Sequence, residues 1–390
     1  MSEFFDPLPI QEIFQIEETP GFNRLGNLIK AFTAENNFPE FQDADIALIG
    51  VGEDRNAINN EGCADGPDQI RKYLYRLSPV VNCPRIIDLG NIKRGHTPSD
   101  TYFALSSVVA ELLNANILPV ILGGSQDITY ANYQAYQNIG QIINIVSVDP
   151  MFDLGNSENE LNSQSFLSSI ILYQPNYLFN YANIGYQSYF IDPEAIKLMK
   201  NLFFDTYRLG ILRENMEEVE PIVRNADMLT FDVSAIRWSD APGNRNATPN
   251  GFYGEEVCQI MRYAGLSDKL TSIGFYEYNP HCDRDGQTAH LIAQMIWYFI
   301  DGFVNRQHDF PFRDEEDYVK YHVSITDHKQ DIVFYKSKKT DRWWMEIPLP
   351  AEQRIKYERH YLVPCSYKDY QVASNNEIPD RWWMVYQKLM

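Results

Sequence analysis

The chain is poor in basic residues, in paired cysteine and, over most of its length, in histidine, and each shortage closes off a class of function. Of 390 residues, 33 are Lys or Arg against 53 Asp or Glu, a formal net charge of −20. Such a surface repels a phosphate backbone, so nucleic acid is not expected as a partner, and an anionic membrane surface is disfavoured for the same reason. The five cysteines (Cys63, Cys83, Cys258, Cys282 and Cys365) are scattered and include no C-x-x-C pair. That argues against a disulfide framework or a zinc knuckle and fits a reducing compartment. No apolar run approaches the roughly 20 residues a membrane helix needs. The opening MSEFFDPLPI has neither the basic nor the apolar region of a secretory signal. A cytoplasmic protein without membrane insertion is expected. A Walker A motif, a G-x-G-x-x-G after a strand and a G-x-S-x-G around Ser125 are all missing.

Apolar residues make up 44% and charged residues 22% of the chain, enough for a full core and too apolar for disorder. From 45 to 306, strand-like runs alternate with helical patterns. The runs are 45–52, 85–92, 118–125, 142–149, 176–187, 208–212, 228–234 and 270–278. Several are apolar throughout, as strands covered on both faces are. Helical patterns such as SDTYFALSSVVAELLNAN, DPEAIKLMKNLFF and GEEVCQIMRYAG lie between them, with Ser99 or Asp100 and Asp192 where N-caps belong. The fold class expected is α/β, a three-layer αβα arrangement around a mainly parallel eight-stranded sheet. A segment 1–44 precedes this unit.

Residues 307–390 change character. YVKYHVSIT and QDIVFYKSK alternate by twos around TDHKQ, a hairpin pattern, and Asp-Arg-Trp-Trp-Met occurs at both 341–345 and 380–384. A β-rich, Trp-containing extension is expected. Its aromatics either pack on the main unit or offer an anchor surface to a protein partner, since Trp and Arg are favoured there.

In an open parallel sheet, function sits at the carboxyl ends of the strands. Three ends carry polar signatures: GGSQD (123–127), DPMFD (149–153) and FDVS (231–234). Together with GCADGPDQIR (62–71), SDAPG (239–243), GFYGEE (251–256) and IGFYEYNPHCDRDGQTAHLIAQMIWYF (273–299), these follow the order of motifs in the ureohydrolase superfamily of arginases, agmatinases and formimidoylglutamases. The ordered set resembles that superfamily over about 45–306, and DPMFDL with SQSFLSSI leans toward formimidoylglutamases. The tail lies outside the resemblance.

The resemblance implies hydrolysis of a guanidino or formimino carbon by a hydroxide bridging two Mn²⁺, held by two His and four Asp. Residue by residue, Asp149, Asp153 and Asp232 match ligand positions. Gln126 and Met151 stand where the two His would be, and Ser234 where the fourth Asp would be. The seven histidines are His96, His281, His290, His308, His322, His328 and His360, and none lies between 97 and 280. Asn162 stands in the place of the proton-shuttling His of arginases. Glu277 matches the glutamate that contacts the guanidinium-like end of the substrate, and Asp127 is an added carboxylate.

These positions imply that one manganese site is lost. The other is left with oxygen donors, so either no metal binds or a single divalent cation does, with Mg²⁺ or Ca²⁺ better suited than Mn²⁺. Three buried carboxylates need a proton, a basic side chain or backbone N–H donors. The leading expectation is a pseudoenzyme, a cytoplasmic binding or scaffold protein with a protein partner at the extension or a small-molecule ligand at Asp127, Asn162 and Glu277. The alternative is a hydrolase of a linear amidine or other C–N bond using a mononuclear or altered metal site. An active formimidoylglutamase with shifted ligands is the third. Self-association is implied by the resemblance alone.

Overall fold

The computed structural model describes residues 1–9, 13, 23–42, 44–155, 160–310, 315–326 and 331–389. The main sheet begins with two short edge strands, β1 (Phe5–Asp6) and β2 (Lys30–Ala31). It continues with β3 (Ile46–Val51), β4 (Ile86–Ile92), β5 (Leu118–Leu122), β6 (Ile143–Val148), β7 (Leu178–Tyr186), β8 (Asp205–Arg208), β9 (Met228–Asp232) and β10 (Ser272–Tyr276). Their order is β1-β4-β3-β5-β10-β9-β6-β7-β8, with β2 also beside β4. From β4 to β8 every pairing is parallel, so eight strands form one parallel sheet, as the expected count requires. β1 adds an antiparallel edge from the N-terminal segment.

The strands are apolar on both sides because both sides are covered. The helices are α1 (Gly66–Leu74), α2 (Pro98–Asn114), α3 (Ile128–Asn138), α4 (Phe166–Leu172), α5 (Pro193–Asn201), α6 (Leu209–Glu214), α7 (Val219–Arg224), α8 (Gly254–Gly265) and α9 (Gln287–Val304). In β3, Ile46 and Leu48 join the core made with Met261 of α8 and Ile292 of α9. Ala47 and Ile49 join the opposite core with Leu105 and Val109 of α2. That alternation, period two along the strand, is what makes three layers.

Two local expectations are corrected. The run at 208–212 is not a strand: β8 ends at Arg208, and the run opens α6, where Leu209 and Leu212 are buried and Ile211 is exposed. A spacing of three is helical, so the strand falls instead on Asp205–Arg208 at the sheet edge. The cap of α2 is Thr97, not Ser99 or Asp100 as such; Thr97 and Asp100 form a reciprocal capping box. Asp192 caps α5 as expected, accepting from Glu194 N.

The tail forms a separate four-stranded antiparallel sheet, β11 (Tyr318–Val323), β12 (Ile332–Ser337), β13 (Trp343–Glu346) and β14 (Leu362–Cys365). It also contains three helices, α10 (Ala351–Lys356), α11 (Tyr367–Ser374) and α12 (Asp380–Leu389). β11 and β12 pair as the hairpin pattern requires, while residues 327–330 of its connection lie outside the described residues. The two Asp-Arg-Trp-Trp-Met copies differ in conformation. The first enters β13, between β12 and β14. The second starts α12, where Trp382, Val385 and Leu389 are buried at helical spacing.

The extension docks on α7 and the turn before it. Arg224 donates to the carbonyls of Trp343 and Cys365 and lies 4.4 Å over the Trp344 ring. Arg342 pairs with Glu220 at 3.1 Å and Arg381 with Glu218 at 2.8 Å. The arginines of both copies thus bind acids two residues apart. No helix among the described residues is long and apolar enough to cross a membrane.

Candidate functional site

The three signature segments meet where β5, β6 and β9 end. After β5, the chain turns at Gly123 and Gly124 against the end of β3. Ser125 N donates to Glu53 O at 2.9 Å, and a Cβ on Gly124 would lie 2.0 Å from that carbonyl. Only glycine allows this approach. The turn buries Gln126 completely, with its amide Nε2 donating to Thr230 Oγ1 at 2.9 Å.

After β6, Asp149 is 1% exposed and its Oδ1 accepts from Met151 N at 2.6 Å. Asn183 of neighbouring β7 donates to the carbonyls of Asp149 and Met151 and holds the loop. Asp153, 6% exposed, has φ of +49°, a region that residues with a Cβ seldom adopt. At the end of β9, Asp232 Oδ1 accepts from Ser234 N at 2.6 Å. After β10, Glu277 (φ +66°) accepts from Gln126 N at 2.8 Å and from Asn60 Nδ2 at 2.7 Å. Strained carboxylate-bearing loops at strand ends are the kind of backbone found at functional sites.

Five buried carboxyl groups result, and among the described residues none forms an ion pair. Burial is the largest influence on each. It pushes Asp127 and Asp232 up to about 6. It pushes Asp149, Asp153 and Glu277 further, with neighbouring acids adding repulsion: Asp153 and Asp232 act on Asp149, and Asp232 acts on both Asp153 and Glu277. Asp149 and Asp153 are close enough to repel when both are charged, so each disfavours ionisation of the other. Backbone N–H groups donate to Asp149, Asp232 and Glu277, and among the described residues no basic side chain pairs with any of the five. Among the described residues, four buried oxygens of these side chains have no hydrogen-bond donor: Gln126 Oε1, Asp127 Oδ1, Asp149 Oδ2 and Asp153 Oδ2.

The remaining candidates have local partners. Asp127 Oδ2 accepts from Tyr102 OH, whose oxygen also accepts from Asn56. Asn162 shapes the start of α4: its Oδ1 accepts from Gln164 N and its Nδ2 donates to Glu160 O. Glu277 is held by an amide and a backbone N–H, not by the salt bridge a structural glutamate would be expected to make. A cleft of about 360 Å³ opens beside these loops, lined among others by Met151, Asp153, Asn162, Gln164, Phe190 and Asp192.

Asn60, Thr230 and Asn183 belong to the site but carry no signature in the sequence. Thr230 could have been found, since it lies two residues before Asp232 and so on the same face of β9. Asn60 and Asn183 reach the site from distant segments.

A family model described as the arginase family matches residues 44–301. A formimidoylglutamase of Staphylococcus aureus strain MSSA476 is 26% identical over 266 residues, 65% of this chain and 85% of that protein. The crystal structure of formimidoylglutamase from Bacillus subtilis subsp. subtilis str. 168 superposes with a TM-score of 0.66 at 19% identity, covering 75% of this chain and 95% of that one. A Trypanosoma cruzi formiminoglutamase solved with Mn²⁺ gives 0.65 at 20% identity, covering 73% and 99%. At these identities the structural likeness speaks for the fold.

Proposed function

The chain belongs to the arginase family, and on that premise we propose that it is a binding protein built on the family's fold, without paired-manganese hydrolysis of amidines. The observation that carries this reading is the state of three side chains among the aspartates. Gln126 spends its amide N–H on Thr230, Ser234 brings a hydroxyl in place of a carboxylate and meets Asp232 through its backbone N–H, and Met151 offers only a thioether. Two divalent ions need several carboxylates with imidazoles completing their shells, and a thioether is a poor partner for Mn²⁺. Among the described residues no three His, Cys, Asp or Glu side chains are grouped to hold a metal ion. The residues present do not fit a manganese pair, and no hydrolytic step is drawn through one.

A second reading rests on the free oxygens of Gln126, Asp149 and Asp153. One carboxamide and two carboxylates form an all-oxygen set suited to one hard cation. Asp153 and the cleft beside it would then bind and orient a ligand at that cation. Such a cation would supply Lewis acidity.

Metal content measured by mass spectrometry after soaks in Mn²⁺, Mg²⁺ or Ca²⁺, alongside ammonia release from amidines, separates the readings. The binding protein takes up no manganese pair and releases no ammonia. One Mg²⁺ or Ca²⁺ per chain favours the second reading. Stoichiometric paired Mn²⁺ with turnover overturns both.

A further inference from the structure

Residues 56–61, between β3 and α1, form a flap over the site. They belong to no helix or strand, and Asn59 and Glu61 face solvent while Ala57 and Asn60 are buried. Their hydrogen bonds run to the segments after β6, β9 and β10, and through Tyr102 to Asp127 after β5. Asn56 Nδ2 donates to Tyr102 OH at 2.9 Å, and that hydroxyl donates to Asp127. After β6, Ser163 N donates to Asn56 O at 3.0 Å, and Ser163 Oγ accepts from Ile58 N at 2.9 Å. After β9, Asn246 Nδ2 donates to Ile58 O at 3.0 Å and Arg245 N to Asn60 Oδ1 at 3.2 Å. After β10, Asn60 Nδ2 donates to Glu277 Oε2 at 2.7 Å, and Asn279 Nδ2 donates to Asn60 Oδ1 at 3.2 Å.

The flap is anchored at one end and can turn at the other. Before it, buried Glu53 accepts from Arg55 and Thr101, Arg55 donates to the carbonyls of Gly95 and His96, and Ser125 N donates to Glu53 O. After it stands Gly62 at φ +105°, a conformation that favours glycine and suits a hinge. Ala57 is the one buried apolar residue of 56–61. Hydrogen bonds rather than apolar burial therefore hold the flap down, as in segments that open locally. Beneath it, Asp127, Asp149 and Glu277 are 0%, 1% and 2% exposed. We propose that 56–61 is a gate, closed in this structure, that bars solutes from these carboxyls and swings out on Gly62 to admit a ligand. Ile58 is its latch, because its N–H and C=O are both held by side chains of other loops, Ser163 and Asn246. A binder and a hydrolase need the gate alike, since a ligand must pass it in either.

The test uses the full chain in EDTA. Carboxyl labelling with a carbodiimide and glycine ethyl ester, read by peptide mass spectrometry, reports access to Asp149 and Glu277. Hydrogen exchange reports the opening of 56–61. Ser163→Ala and Asn246→Ala should each speed both readouts by about three- to tenfold, the loss of one hydrogen bond. Exchange in β5, β9 and β10 should stay as in the unaltered protein. In the unaltered protein, Glu277 labelling should change little with urea below the unfolding transition, because a local opening exposes little surface. That measurement decides the matter even where a variant fails to fold. Three results would each overturn the gate. One is Glu277 labelled in the unaltered protein as fast as exposed Glu352. Another is a flap that opens faster without faster labelling. The third is labelling that climbs with urea as steeply as global unfolding.

Discussion

Gln126 and Thr230 join across a strand: the amide of one donates to the hydroxyl of the other at 2.9 Å, and β10 lies between the strands that carry them. Thr230 also hydrogen-bonds Thr129 at 2.8 Å. The position that would hold a histidine ligand by resemblance is thereby part of a hydroxyl–amide network that ties β9 to the start of α3.

If lost ligands are what removed manganese, returning them should restore it. Gln126→His, Met151→His and Ser234→Asp together should raise bound Mn²⁺ from none to about two ions per chain. No single substitution should do so, because each leaves an ion short of ligands. Mass spectrometry of metal content after Mn²⁺ soaking reads the outcome; a triple variant that stays metal-free would mean the surrounding loops, not the ligands, prevent binding.

The uncompensated acids should make the site a stability liability above neutral pH. Burial and the neighbouring carboxylates hold Asp153 above its ordinary value in the fold. Its contribution is therefore fully present below its unfolded pKa and lost as pH rises through the folded one. Asp153→Asn, which cannot charge, should raise stability at pH 8 by about 1–2 kcal/mol and leave it unchanged at pH 4. Urea unfolding at the two pH values in EDTA checks it, and an equal effect at both would assign the change to packing.

His360 works in the opposite direction. Burial, reinforced by Lys269, depresses it to about 3. Its ring stacks on Phe179 at 4.3 Å between centroids and its Nε2 lies 3.1 Å from Ile142 O. The unfolded chain takes up a proton near the ordinary value and the folded chain does not, so stability is lost as pH falls from there toward about 3. At pH 4 the loss should be about 3 kcal/mol. His360→Phe should keep the stack and flatten this acid limb. Thermal midpoints from pH 7 to 4 give the comparison, and parallel curves for both proteins would reject it.

Adjacent tryptophans of one repeat should differ sharply. Trp382 is fully buried and its Nε1 donates to Glu346 O, whereas Trp383 is 43% exposed. Trp382→Ala should cost about 3–5 kcal/mol and Trp383→Ala within about 0.5 kcal/mol. Chemical denaturation followed by circular dichroism distinguishes them; equal losses would mean Trp383 is covered in solution.

Much of this molecule was written in local sequence. Apolar runs between turn residues specify seven of the eight parallel strands, because a strand buried on both faces is apolar except where a polar side chain finds a partner, as Asn183 and Thr230 do. The order of the signature segments marks the family and places Asp149, Asp153 and Asp232 at strand ends. β8 was hidden because an edge strand needs no apolar run, while the apolar run beside it is a turn of helix.

What tertiary structure alone decided is clearest in the repeated pentapeptide. In the first copy the Trp-Trp-Met of Asp-Arg-Trp-Trp-Met is extended, at 343–345, where β12 and β14 supply backbone partners on both sides. The second copy is helical at 380–384, where the following Val385 and Leu389 complete an apolar stripe with Trp382. Five residues carry too little propensity to choose, so their neighbours choose for them. The same holds at the site: the sequence named the carboxylates, but only folding showed that, among the described residues, no base pairs with them. Charge balance in a core depends on which distant segments meet, and the sequence does not state that locally.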